Sequence, residues 1–271
     1  MAIRDAGCGP LGRAAGQEPR RRDCTSGESW PDLEQSPRRA NIIAFVSPPL
    51  TYAIGDIHGC HDLLLALLQG IDDHAARQPY RLVFLGDYID RGPDSAGVLA
   101  TVRRLQESSS DTVVCLMGNH EALMLEAAAD PSRAQLWLRN GGDAALASFS
   151  INNVSELPSD IVDWVRQLPT SYEDEHRYYV HAGVNPARPL SDQTDHDRLW
   201  IRKPFLEAEH DFGKHIVHGH TPLRTPSPDE RLYRTNLDTA AVYGGALTAG
   251  VFTSAQTRAV AYLRVLATEG A

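Results

Sequence analysis

Three times in the front half of the chain an apolar run ends in glycine and is followed at once by side chains that bind metals. Tyr52-Ala53-Ile54 leads into Gly55-Asp56-Ile57-His58-Gly59. Leu82-Val83-Phe84-Leu85 leads into Gly86-Asp87-Tyr88-Ile89-Asp90-Arg91-Gly92, and Val113-Val114-Cys115-Leu116-Met117 into Gly118-Asn119-His120-Glu121. Short apolar runs bounded by turn residues are the signature of buried strands. Asp56, Asp87 and Asn119 stand 31 and then 32 residues apart, about the length of one βαβ unit. The pattern predicts three parallel strands that deliver their loops to the same edge of one sheet. A surface loop can hold Asp, Asp and Arg together by accident, but the repetition argues against that reading.

The segments between these strands are helical by their spacing. Leu63, Leu64, Leu67, Leu68 and Ile71 mark one helix, and Pro93-Asp94 opens another that carries Val98, Leu99, Val102 and Leu105. Residues 121–170 read as mainly helical, with breaks at Pro131, Gly141-Gly142 and Pro158, and with Trp137 and Trp164 as packing anchors. The character then changes to short β-like runs at Arg177–Val180, His215–Val217, Leu232–Asn236, Ala246–Phe252 and Arg258–Leu266. The expectation is an α/β domain over residues 49–271, with two sheets face to face and helices outside. Residues 1–48 show no hydrophobic period and are expected to be a disordered N-terminal extension. Their seven arginines are offset by six acidic residues, so a basic binding arm is not favoured.

Composition narrows the function classes. A formal net charge of −9 disfavours broad electrostatic binding to nucleic acid or an anionic membrane. The four cysteines have no CxxC spacing, which argues against a zinc ribbon and suits a reducing compartment. No apolar run is long enough to span a bilayer. A cytoplasmic monomer without nucleic-acid or membrane partners is expected. Neither a Walker-type loop nor a dinucleotide fingerprint is present, which leaves kinase and nucleotide-cofactor chemistry without residues.

Two further strand ends in the back half carry histidine: His181-Ala182-Gly183 after Tyr178-Tyr179-Val180, and His218-Gly219-His220 after Ile216-Val217. Asp56, His58, Asp87, Asn119, His181 and a histidine of the last pair make six donors. Oxygen mixed with imidazole suits divalent first-row metals and argues against a thiolate site. Six donors are too many for one open tetrahedral site. They suit two ions with a bridging carboxylate.

The motifs GDIHG (Gly55–Gly59), GDYIDRG (Gly86–Gly92), GNHE (Gly118–Glu121), HAG (His181–Gly183) and GHT (Gly219–Thr221) resemble the phosphoprotein phosphatase family of calcineurin-like metallophosphoesterases. Trp137–Gly142, Leu199–Arg202 and His218–Pro222 resemble its bacterial branch. The resemblance covers about residues 50–266. It implies the four-layer α/β/β/α fold, with two mixed sheets between helices. It also implies one metal on Asp56, His58 and Asp87 and a second on Asp87, Asn119, His181 and His220, with Asp87 bridging. His220 rather than His218 matches the ligand because it precedes Thr221. The same resemblance makes His120 the general acid and Asp90 the carboxylate that orients it. Arg91 and Arg202 become the phosphate clamp, with Asn119 also on the substrate. Arg202 rests on the short Leu-Trp-Ile-Arg match, and Arg198 lies close by.

These roles fit the charges. Two divalent ions outweigh Asp56, Asp87 and a bridging hydroxide, and the two arginines add to the surplus, so a phosphomonoester dianion suits the pocket better than an uncharged ester. Manganese is the expected metal, with iron or zinc as alternatives. The leading expectation is a serine/threonine protein phosphatase, also open to small phosphoesters, in which the metal-bridging hydroxide attacks phosphorus. A symmetrical diadenosine tetraphosphate hydrolase shares the motif set. A catalytically inactive phosphate-binding scaffold would be expected to lack a ligand or the acid, and none is missing. Because residues 1–45 precede the first strand and lack a hydrophobic period, deleting them should leave metal content and phosphatase activity within about twofold. A colorimetric assay on the shortened chain checks this.

Overall fold

A computed structural model describes residues 50–267; the expected N-terminal extension, residues 1–48, lies outside the described residues. Strand β1 (Leu50–Ile54), helix α1 (His61–Ala75), β2 (Tyr80–Phe84), α2 (Ser95–Ser108), β3 (Val113–Cys115) and α3 (Asn119–Ala129) follow in strict alternation. β1, β2 and β3 pair in parallel. β2 and β3 are each shorter at the C-terminal end than their apolar runs, because Leu85 and Leu116 already belong to the loops that turn towards the site. α2 starts one residue after Asp94, whose carboxylate accepts from the Gly97 N–H at 2.8 Å. That is the N-cap geometry that opens a helix.

The expected helical region contains α4 (Ala134–Trp137), α5 (Asp143–Ser148) and α6 (Ser159–Arg166). The expected break at Gly141-Gly142 is present: Gly141, with φ 104° and ψ 10°, leaves the helical conformation and kinks the chain between α4 and α5. β4 (Ser171–Glu173), β5 (Arg177–Val180), α7 (Asp195–Trp200), β6 (His215–His218), β7 (Asp229–Glu230), β8 (Arg234–Asn236), β9 (Ala246–Phe252) and β10 (Ala261–Leu266) complete the described chain. Leu232, expected in a strand, precedes β8 and is exposed.

Two mixed five-stranded sheets result, ordered β10-β9-β1-β2-β3 and β4-β5-β6-β8-β7. In the second, β5, β6 and β8 are parallel and both edges antiparallel. Strand alternation divides the side chains between layers. Tyr52, Ile54, Leu82 and Phe84 face the helices with Leu64, Leu67, Ile71, Val98 and Leu99. Ala53, Val83 and Phe252 face Tyr179, Val217 and Leu237 of the second sheet. The fourth layer is thin: Phe205, Val184 and Ile201 cover the outer face of the second sheet, assisted by α7. Among the described residues no helix is long and apolar enough to cross a membrane.

Phe252 is fully buried between the sheets, edge-on to Tyr179 with ring centroids 6.2 Å apart. Phe252→Ala should therefore destabilise the domain by about 3–5 kcal/mol, read from the urea unfolding midpoint.

Candidate active site

All six parallel strands end at the same edge of the sandwich, and the candidate residues occupy the loops that follow them. The backbone there is unusual. His58, Asp87, Asp90, Arg91 and His220 all have positive φ, from 47° at His58 to 74° at Asp90. Non-glycine residues enter this region only when the surroundings enforce it, and such residues cluster at functional sites. Close packing enforces it here. A Cβ on Gly118 would strike Asp87 Oδ1, and one on Gly219 would strike Asp56 Oδ1.

Asp87 lies at the centre. Its Oδ2 is 3.3 Å from His58 Nε2, and its Oδ1 is 3.4 Å from His181 Nε2. One carboxylate thus faces a histidine from each sheet. Asn119 Oδ1 is 2.9 Å from His181 Nε2 and 2.8 Å from His220 Nδ1. Asp56 accepts the His220 backbone N–H at 3.1 Å. The six residues expected as ligands are therefore brought together. All are buried.

The protonation pattern shows what such a cluster fits. His58 Nδ1 donates to the Ile89 carbonyl at 2.8 Å and His181 Nδ1 to the Leu85 carbonyl at 3.0 Å. Burial lowers the pKa of both, to about 3 for His181, so each imidazole is neutral with a bare Nε2. Burial also lowers His220, to about 2. The His181 Nε2 lone pair then points at the Asn119 carbonyl oxygen and at Asp87 Oδ1. Acceptors facing acceptors are unfavourable unless a cation lies among them. Burial raises Asp56 and Asp87 above the usual carboxylate range, so their negative charge also needs a cation. Backbone carbonyls that fix the ligand tautomer are the expected outer support of a metal site. The donor set fits two divalent ions sharing Asp87.

Beside this cluster is a histidine–carboxylate pair. His120 Nδ1 is 2.6 Å from Asp90 Oδ2, and the Trp137 indole N–H donates to Asp90 at 3.0 Å. Burial pushes Asp90 up to about 8 and draws His120 down. The other ring nitrogen, His120 Nε2, is 2.7 Å from Arg91 Nη2 and 4.0 Å from Asp87 Oδ2.

A family model described as calcineurin-like phosphoesterase matches residues 50–245. The chain belongs to that family. The serine/threonine-protein phosphatase 1 of Salmonella typhimurium is 32% identical to this phosphoesterase over 205 residues, covering 73% of this chain and 89% of that one. A symmetrical bis(5'-nucleosyl)-tetraphosphatase of Nitrosomonas europaea is 36% identical over 136 residues, 50% of this chain and 45% of that protein. Among solved structures, a candidate diadenosine tetraphosphatase superposes with a TM-score of 0.63 at 24% identity, over 84% of this chain and 96% of that one. A cold-active protein-tyrosine phosphatase of a Shewanella species superposes with a TM-score of 0.55 at 20% identity, covering 82% and 81%. At these identities the structures show the shared fold. Enzymes of this family use a two-metal centre.

Several placements in the phosphoesterase sharpen the sequence reading. His218 packs edge-on to Phe205 at 4.9 Å, away from the other candidate ligands, with its Nε2 unpartnered. Arg198 is tied to the Tyr178 hydroxyl at 3.0 Å and to Asp195 at 3.1 Å. Arg202 is exposed, and its charge favours the ionised form of Asp87. Three contributors have roles that the sequence reading did not assign. Glu121 accepts the backbone N–H groups of Asp87 and Tyr88 at 2.8 Å, Gly118 at 2.9 Å and Ile89 at 3.3 Å. Its position three residues after Gly118 is the capping-box spacing that could have revealed it. Asp238, just past β8, is pushed up to about 7 by burial and by the Asp87 charge. It repeats the strand-end pattern without a preceding glycine. Trp137, expected only to pack, also holds Asp90.

Trp137→Phe keeps the ring and removes its N–H. A hydrogen bond to a charged group is worth about 1.5–3 kcal/mol, so kcat on a phosphoserine peptide should fall roughly tenfold or more. Bound metal, measured by elemental analysis on the same sample, should stay unchanged.

Proposed function

We propose that this metal-dependent phosphoesterase is a serine/threonine protein phosphatase that also accepts small phosphomonoesters. The reading rests on the extent of likeness: the serine/threonine phosphatase relative is matched over nearly its whole length, the symmetrical tetraphosphatase over less than half of its own. Cleavage of dinucleoside tetraphosphates is the second reading. It is favoured by the comparable identity over that shorter span.

In this proposal Asp56, His58 and Asp87 hold one divalent ion, and Asp87, Asn119, His181 and His220 the other, with manganese as the working metal. When bound, the ions supply hydroxide near neutral pH and neutralise charge on the phosphate. The remaining work falls to side chains. Arg91 and Arg202 grip the non-bridging oxygens, since a guanidinium fork matches a phosphate in bidentate fashion. The Asn119 amide N–H adds a donor to the same oxygens. In-line displacement places negative charge on the departing oxygen, and His120 Nε2 delivers a proton there. Asp90 holds the imidazole by Nδ1, as Trp137 holds Asp90, so the proton is aimed before substrate arrives.

This division of labour separates metal ligands from the acid. Chelation should abolish turnover and Mn²⁺ should restore it. Asp87→Asn should lose metal and activity together on every substrate. His120→Asn should keep its metal, with a small loss on p-nitrophenyl phosphate, whose leaving group needs no proton. Its loss on a phosphoserine peptide should reach about 10²–10⁴-fold. Steady-state kinetics with metal analysis decides it, and equal losses on both substrates would show that His120 is not the acid.

A further inference from the structure

Tyr243 stands at the mouth of the site, and the chemistry above gives it no task. It is one of the most exposed large side chains among the described residues, at 62%. Its ring lies against Arg91, with the guanidinium carbon 5.7 Å from the ring centroid. The same guanidinium reaches His58 Nε2 at 2.5 Å and His120 Nε2 at 2.7 Å. One side chain therefore separates Tyr243 from the nitrogen that would protonate the leaving oxygen.

The turn that presents this ring is held in place. Ala240 has φ 61° and Gly244 φ 84°. The Ala240 carbonyl accepts from both Tyr243 and Gly245 at 3.0 Å, and the Ala246 N–H donates to Thr239 at 3.0 Å. A left-handed alanine is costly unless its surroundings enforce it. Tyr243 also forms a wall of a surface groove of about 350 Å³, together with Pro222, Leu223, Arg224, Thr239 and Gly245. Pro222 is two residues beyond His220, and Thr239 directly follows Asp238. The groove is therefore lined by residues that follow closely on His220 and Asp238 in the chain. It offers a flat aromatic face, proline and leucine surface, and the cation of Arg224.

We propose that Tyr243 is a specificity-determining residue that packs against a planar aromatic ring on the leaving group of the phosphoester. The proposal rests on the phosphoesterase reading and extends it to substrates beyond alkyl monoesters. A tyrosine ring and an adenine base present the same flat π-face, whereas serine and threonine present none. Offset-stacked or edge-to-face aromatic contacts are favourable beyond the area they bury, by about two- to tenfold in binding.

The test uses the full chain loaded with Mn²⁺ as wild type, Tyr243→Ala and Tyr243→Phe. KM is measured on a phosphotyrosine peptide, on a phosphoserine peptide of the same flanking sequence and on diadenosine tetraphosphate. Tyr243→Ala should raise KM for an aromatic substrate about two- to tenfold more than for the phosphoserine peptide, and Tyr243→Phe should restore most of the difference. Whether the tyrosyl or the adenine arm moves tells which ring the groove takes. Equal shifts on all three substrates, or none, overturn the proposal. Calorimetric affinities for phenylphosphonate and methylphosphonate read the same contrast without turnover. If the wild type hydrolyses none of the substrates, the phosphoesterase reading fails, while the phosphonate comparison still decides the role of Tyr243. Loss of the phenylphosphonate preference in Tyr243→Ala supports that role, and an unchanged preference overturns it.

Discussion

Asp87 is buried, and each of its carboxylate oxygens faces a histidine of a different sheet. Asp56 and Asp238 are buried in the same region, and their like charges make every ionised form less favourable. A hydrophobic sandwich does not accept such a cluster without compensation. The compensation has three parts. Neutral imidazoles with fixed tautomers turn bare nitrogens inward, Arg91 and Arg202 bring positive charge to the rim, and the donors that face one another suit divalent ions. Glu121 keeps the Asp87 loop in register by collecting four backbone N–H groups, which leaves the left-handed Asp87 backbone no slack.

The His120–Asp90 pair depends on a different support. Asp90 belongs to the same loop as Asp87, but its partner Trp137 comes from α4. The glycine kink beyond Trp137 turns the Gly141 carbonyl to accept the Arg91 N–H at 3.1 Å. One short helical region thus braces both Asp90 and Arg91.

Much of this was legible in the sequence because the fold repeats one local rule. A parallel strand ends and a candidate ligand follows, after a glycine at Asp56, Asp87 and Asn119 and directly at His181, so these could be found by reading strand ends, while the choice of His220 over His218 came from the family resemblance. Helix periodicity located α1 and α2 in the same way. What stayed hidden depends on contacts between distant segments. Nothing local distinguishes Trp137 from a packing residue, since its partner Asp90 lies 47 positions earlier. Arg198 and Arg202 look alike until Tyr178 and Asp195 are seen to occupy the first. Asp238 lacks the glycine that precedes Asp56, Asp87, Asn119 and His220. Leu232 was misplaced because apolar character alone does not separate a strand from the loop before it.

The bond from the His220 N–H to Asp56 joins positions 164 residues apart. A chain emerging from the ribosome therefore displays its first three ligand loops long before the last two histidines exist. Until residue 181 has appeared, any ion captured would find only Asp56, His58, Asp87 and Asn119, and the set closes only at residue 220. Non-local closure of this kind is slow relative to helix formation. Metal loading should be a late event in biogenesis, and the finished two-ion centre a seal on the joint between the sheets.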